Sequence, residues 1–90
     1  MAKIEWDENK RLSNIAKHGF DFLDAEEVLY GIHVVVASRD MADELRWLST
    51  GKVGGRFATV VFTMRGEDYR IISIRSARDN EKRKYQELHG

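Results

Sequence analysis

The chain has 90 residues, 42% hydrophobic and 33% charged, with a formal net charge of zero and no cysteine or proline. That length allows one domain, 1–90, with a small core, and the composition excludes a disordered chain, a disulfide framework and a thiolate metal site. No apolar run reaches membrane-spanning length, and the opening Met1-Ala-Lys-Ile-Glu-Trp6 lacks a signal peptide's apolar region, so a cytoplasmic protein with no membrane partner is expected.

Lys3 to Trp6 alternates as a short strand would. Asp7 is placed to cap a helix reaching about Lys17, with Leu12, Ile15 and Ala16 on its inner face and a left-handed Gly19 ending it. A second helix is predicted from Phe22 to Tyr30, capped by Asp21, with Phe22, Ala25 and Leu29 inward. The pattern then changes to strands: His33 to Ser38, Leu45 to Val53, Arg56 to Met64 and Tyr69 to Arg75. Gly54-Gly55 suits a tight hairpin between the middle pair. Ser76-Ala-Arg-Asp79 has capping-box spacing and is expected to start the last helix. The order predicts an α+β domain, an antiparallel sheet of four to five strands with its helices on one side.

Zero net charge hides an asymmetry. Residues 1–45 hold five Lys/Arg against ten Asp/Glu, and residues 46–90 hold ten against five. Such a split predicts a bipolar surface whose basic half faces an anion. The basic half is densest where a buried strand runs into a polar helix, Arg70 to Tyr85. With Ser76 as cap, Arg78, Glu81, Tyr85 and Leu88 share one stripe that faces the protein, leaving Lys82, Arg83 and Lys84 toward solvent. These residues also read as a structural ion pair, a core tyrosine and a solvated face. Lys17-His18-Gly19 supplies a second cationic element, placed at a helix C-terminus where the dipole favours a protonated imidazole.

The three histidines, 18, 33 and 89, have no ligand spacing, and no glycine-rich phosphate loop or serine-nucleophile signature is present, so neither a metal nor another cofactor is expected. Metal-free acid–base and electrostatic catalysis is the enzyme route that remains. Its rivals are a non-catalytic nucleic-acid-binding or protein-interaction module, which needs the cations alone, and an adaptor using the acidic half.

Trp6-Asp7-Glu-Asn-Lys10, Asn14, Lys17-His18-Gly19, Phe22 and Ala25 resemble the opening signature of BrnT-type toxins. Glu44-Leu-Arg46-Trp47, Gly51-Lys-Val, Gly55-Arg56, Arg70-Ile-Ile-Ser-Ile-Arg75-Ser-Ala-Arg78-Asp-Asn-Glu81 and Tyr85 continue the match over nearly the whole chain. The resemblance implies a RelE-like ribonuclease of a type II toxin–antitoxin pair that inhibits growth. It would be held inactive by a BrnA-like antitoxin and touch DNA only through that partner. Carried to this chain, it implies Lys17, His18, Arg75, Arg78, Glu81 and Tyr85 as catalytic candidates. Glu81 or His18 would serve as base, His18 or Tyr85 as acid, and Lys17, Arg75 and Arg78 as cations on the phosphate. Arg56, Arg65 and Arg70 are expected to hold the RNA backbone if they face the same groove.

Overall fold

Five strands form one sheet in the order β1-β5-β4-β3-β2, with β1 at Ile4–Glu5, β2 at Val34–Arg39, β3 at Leu45–Val53, β4 at Arg56–Arg65 and β5 at Asp68–Ser76. The computed structural model describes residues 2–39 and 42–90. Helix α1 spans Glu8–His18, a single 3-10 turn at Phe22–Asp24 leads into α2 at Ala25–Leu29, and α3 spans Asp79–His89. From β2 to β5 the strands pair antiparallel as a meander, and both hairpin glycines, Gly54 and Gly55, take positive φ at their turn. β1 departs from the expected antiparallel sheet. It runs parallel to β5, with Ile4 opposite Tyr69 and Glu5 opposite Arg70, so the sheet is mixed. A two-residue strand carries no alternation long enough to reveal its direction.

Period-two alternation in β4 divides the molecule. Ala58, Val60 and Phe62 are buried against Phe20, Phe22, Ala25, Val28 and Leu29. Burying a phenylalanine such as Phe20 or Phe22 contributes about 2–3 kcal/mol. Ile71 and Ile74 of β5 join this core although they stand three apart, because β5 carries a bulge. Val61 pairs with Ser73 while Phe62 pairs with Ile71, leaving Ile72 as the extra residue.

Phe57, Thr59 and Val61 look to the opposite face, and α3 lies there: the Thr59 hydroxyl donates to Glu81 at 3.0 Å. The helices therefore cover both faces rather than one. The reason is composition, since α3 has no buried residue and cannot join the apolar layer. Its cap also shifts. Ser76 stays in β5 opposite Ala58, Arg78 takes the cap position, and its N–H donates to Glu81 Oε1 at 2.8 Å. Leu88, expected as an anchor, is 68% exposed.

The first helix starts as expected, with the Asp7 carboxylate accepting from the Lys10 N–H, and stops at a left-handed Gly19. Its inner face is not the expected one. Leu12, Ile15 and Ala16 are exposed, and the buried residue is Asn14. The Asn14 carboxamide donates to the carbonyls of Ile74 (2.9 Å) and Phe20 (2.8 Å) and accepts from the Ile74 N–H (3.1 Å). Beyond the short reach of β1, Asn14 thus stands in for a neighbouring strand along the β5 edge. Helix α1 packs on backbone groups, so its contact demands an amide rather than an apolar side chain.

Asn14→Ala is predicted to destabilise the fold by about 3 kcal/mol in urea unfolding, because three buried backbone groups lose their partner. Asn14→Asp keeps the acceptor but cannot donate to the two carbonyls, and its midpoint should fall comparably. Leu12→Ala should stay within about 0.5 kcal/mol of the parent.

Candidate active site

Strand register lays out the sheet face turned away from the core. Val34, Thr50, Thr59 and Arg75 form one row across β2 to β5, and Val36, Leu48, Val61 and Ser73 form the next. Helix α3 crosses this face near the Gly54-Gly55 hairpin, with the Tyr85 ring edge-on to Phe57 at 5.3 Å and His89 Nε2 3.1 Å from the His33 carbonyl oxygen.

Arg75 and Glu81 meet in the first of these rows. Arg75 Nη1 and Nη2 donate to Glu81 Oε1 at 2.8 Å and Oε2 at 3.0 Å, a two-pronged pair with both side chains under one-fifth exposed. The Thr59 hydroxyl and the Arg78 N–H complete four hydrogen bonds to this carboxylate. Burial pushes the Glu81 carboxyl up, but the donors from Arg75, Arg78 and Thr59 outweigh it and hold the group below the usual carboxylate range. A carboxylate so saturated is a poor proton acceptor, which argues against the expected base role and for a role in holding Arg75. The Arg78 side chain is exposed and, among the described residues, makes no hydrogen bond or ion pair.

Two clefts open beside this pair. One, of about 180 Å³, lies along α3 and is lined by Arg78, Glu81 and Lys84 over Val36, Leu48 and Thr50. The other, of about 330 Å³, lies at the β5 edge between Lys17, His18 and Ser13 of α1 and Ile72 and Ser73 of β5. They share no lining residue, so Lys17-His18 does not join the Arg75–Arg78–Glu81 group in one pocket. Leu48 and Ser73 are nevertheless two strands apart in one row, roughly 10 Å, and Ser73 precedes Arg75 by two residues on the same face. The clefts are neighbours on one surface.

The remaining candidates scatter. Tyr85 lines neither cleft; it is the half-buried ring that seats α3 on Phe57. Arg70 lies opposite Thr63, on the same face as Arg75 but four register steps, about 14 Å, further along the sheet, and it and Arg65 stand 3.8 and 3.9 Å from Glu5. Arg56 does not share that surface: its guanidinium lies 4.5 Å above the Phe20 ring, on the core side. Among the described residues, no group of three or more His, Asp or Glu is placed to hold a metal ion.

Sequence reasoning missed Lys84, Thr50 and Thr59. Lys84 could have been found, since it lies three residues after Glu81 and therefore beside it on the helix. The threonines had no signal, because β-branched residues are ordinary in strands.

The family model described as "Ribonuclease toxin, BrnT, of type II toxin-antitoxin system" matches residues 6–81. The 1.1 Å crystal structure of the Brucella abortus ribonuclease toxin BrnT is similar at 36% sequence identity and a TM-score of 0.71, over 88% of this chain and 100% of that one. Curated protein sequences give no match. With the α+β fold, the mixed five-stranded sheet and most of the chain in agreement, this protein belongs to the BrnT family of ribonuclease toxins of type II toxin–antitoxin systems.

Proposed function

We propose that this ribonuclease toxin cleaves single-stranded RNA in the cytoplasm without a metal ion, through attack of a ribose 2′-hydroxyl on the adjacent phosphate. It stops translation until a BrnA-like antitoxin binds it, and that partner makes the DNA contacts. The observation that carries this reading is a single sheet face bearing the anchored Arg75, with the exposed cations Arg78 and Lys84 on one side and Lys17-His18 on the other.

In this mechanism the scissile phosphate sits over the Ser73–Arg75 stretch of β5. His18 is the one imidazole lining either cleft and can both accept and donate a proton, so it carries the proton. It takes the 2′-hydroxyl proton as that oxygen bonds to phosphorus, and the imidazolium returns it to the departing 5′-oxygen. The products are a 2′,3′-cyclic phosphate and a 5′-hydroxyl. Arg75, held rigid by Glu81, and Arg78 and Lys17 stabilise the charge growing on the phosphate oxygens. Arg65 and Arg70 hold the backbone further along the same face. Tyr85 and Arg56 support the fold.

Arg75→Ala and Arg78→Ala should each lower kcat on a single-stranded oligonucleotide by about 10²–10³-fold. His18→Ala should lower it by about 10²–10⁴-fold, and any of the three retaining full activity leaves the mechanism. Excess chelator should leave the parent rate unchanged. Cleavage abolished by chelator and restored by a divalent ion would defeat the metal-free proposal.

A further inference from the structure

We propose that Thr50 and Thr59 are positioning residues of the ribonuclease site, a relay of two hydroxyls that holds Glu81 and, through it, sets the Arg75 guanidinium for the phosphate. This rests on the reading of Arg75 as the group that stabilises the phosphate.

Thr59 is fully buried and Thr50 is 4% exposed, both within β-strands. A hydroxyl there costs free energy unless its hydrogen bonds are made, and valine, the residue at 60 and 61, has nearly the same shape. The two hydroxyl oxygens lie 2.8 Å apart, and Thr59 donates to Glu81 Oε1 at 3.0 Å. Each hydroxyl has one proton. Thr59 gives its proton to Glu81, so Thr50 is the donor to Thr59, and the chain runs in one direction from Thr50 to Glu81. Thr50 also lines the cleft beside α3, so the relay begins on the cleft floor and ends at the arginine.

The arrangement fixes the carboxylate from two independent elements. The Arg78 N–H holds Oε1 from the helix, and Thr59 holds the same oxygen from the sheet. Without Thr59 the carboxylate is tied only to its own helix and to the arginine it is meant to orient. Arg75 commits three N–H groups, two to Glu81 and one to the Ser76 carbonyl at 3.3 Å. Two of its five donors remain for a phosphate. Their direction depends on the carboxylate plane.

The test compares Thr59→Val, Thr59→Ser, Thr50→Val and Arg75→Ala on a single-stranded RNA oligonucleotide, reading kcat, KM, the pH profile and thermal unfolding. Thr59→Val should lower kcat about tenfold with KM unchanged, the size of one hydrogen bond to a charged group. Its kcat relative to the parent's, a ratio in which the shared His18 dependence cancels, should fall further in acid, because Glu81 loses a donor. The charged groups facing Glu81 are Arg75 from β5 and Arg78 and Lys84 from α3. Thr59→Ser should restore both readouts, and Thr50→Val, one step removed, should lower kcat about threefold. Parental kcat and pH profile in Thr59→Val, beside an inactive Arg75→Ala, would overturn the relay, as would a loss confined to KM. Full activity in Arg75→Ala would instead overturn the role of Arg75 beneath it. Should Thr59→Val fail to fold, Thr50→Val decides, and an unchanged kcat there overturns the relay.

Discussion

One buried carboxamide governs where both halves of the proposed site lie. Strand β5 carries Ile71 and Ile74 into the core and Ser73 and Arg75 to the opposite face, but β1 covers its outer edge only at Tyr69 and Arg70. The Ile74 N–H and C=O would otherwise be buried without partners. Asn14 meets both, and the same contact lays α1 along the edge. Lys17 and His18 stand three and four residues after Asn14, on its side of the helix, which brings them beside Ser73. A requirement of backbone hydrogen bonding thereby delivers a cation and an imidazole to the neighbourhood of Arg75.

The second constraint is electrostatic. A carboxylate and a guanidinium largely withdrawn from water lose solvation that their mutual attraction recovers only when every remaining lone pair is used. Glu81 Oε1 adds donors from Thr59 and the Arg78 N–H to its bond from Arg75, which offsets much of that loss, and the carboxyl's acidity is strengthened accordingly. With the folded-state pKa depressed, the stabilisation is complete above the unfolded carboxylate range near 4.5 and fades as pH falls through the folded value. The pair is thus fully formed at neutral pH, where an RNA-cleaving site has to work. Such a site needs a fixed cation more than another base, because preorganised donors stabilise charge without reorganising during the reaction.

Much of this was legible in the residues. Alternating and β-branched runs mark the four strands of the meander, the double glycine marks a hairpin, and Asp7 and Gly19 bound the first helix. The errors share a cause. The helical spacing of Leu12, Ile15 and Leu88 predicts an inward face, yet α1 docks on a strand edge through Asn14 and α3 docks through Glu81 and Tyr85. Helices held by polar contacts carry no apolar stripe to mark the face that docks. The stripe Arg78–Glu81–Tyr85 placed Glu81 and Tyr85 against the sheet, where Tyr85 packs on Phe57, but it left Lys84 to solvent although that residue lines the cleft. Arg56 and Arg70 differ by strand parity and a bulge, and only the register reveals that they occupy opposite faces.

The bipolar charge of the sequence acquires meaning from the same sheet. The acidic half supplies α1 and α2, whose Glu26 and Glu27 are exposed on the core-covering side. The basic half supplies α3 and the strands that bear Arg65, Arg70 and Arg75 on the other side. A net charge of zero is then no obstacle to binding a polyanion, since RNA responds to the field of the face it approaches rather than to the sum over the molecule. It also explains why α3 gave up an apolar stripe. A helix packed into the core would bury the side that Arg78, Asn80 and Lys84 present to the cleft, whereas a helix tethered by Glu81 and Tyr85 leaves them at its rim. In the proposed mechanism, weak apolar packing of α3 is the structural cost of keeping those groups within reach of a phosphate.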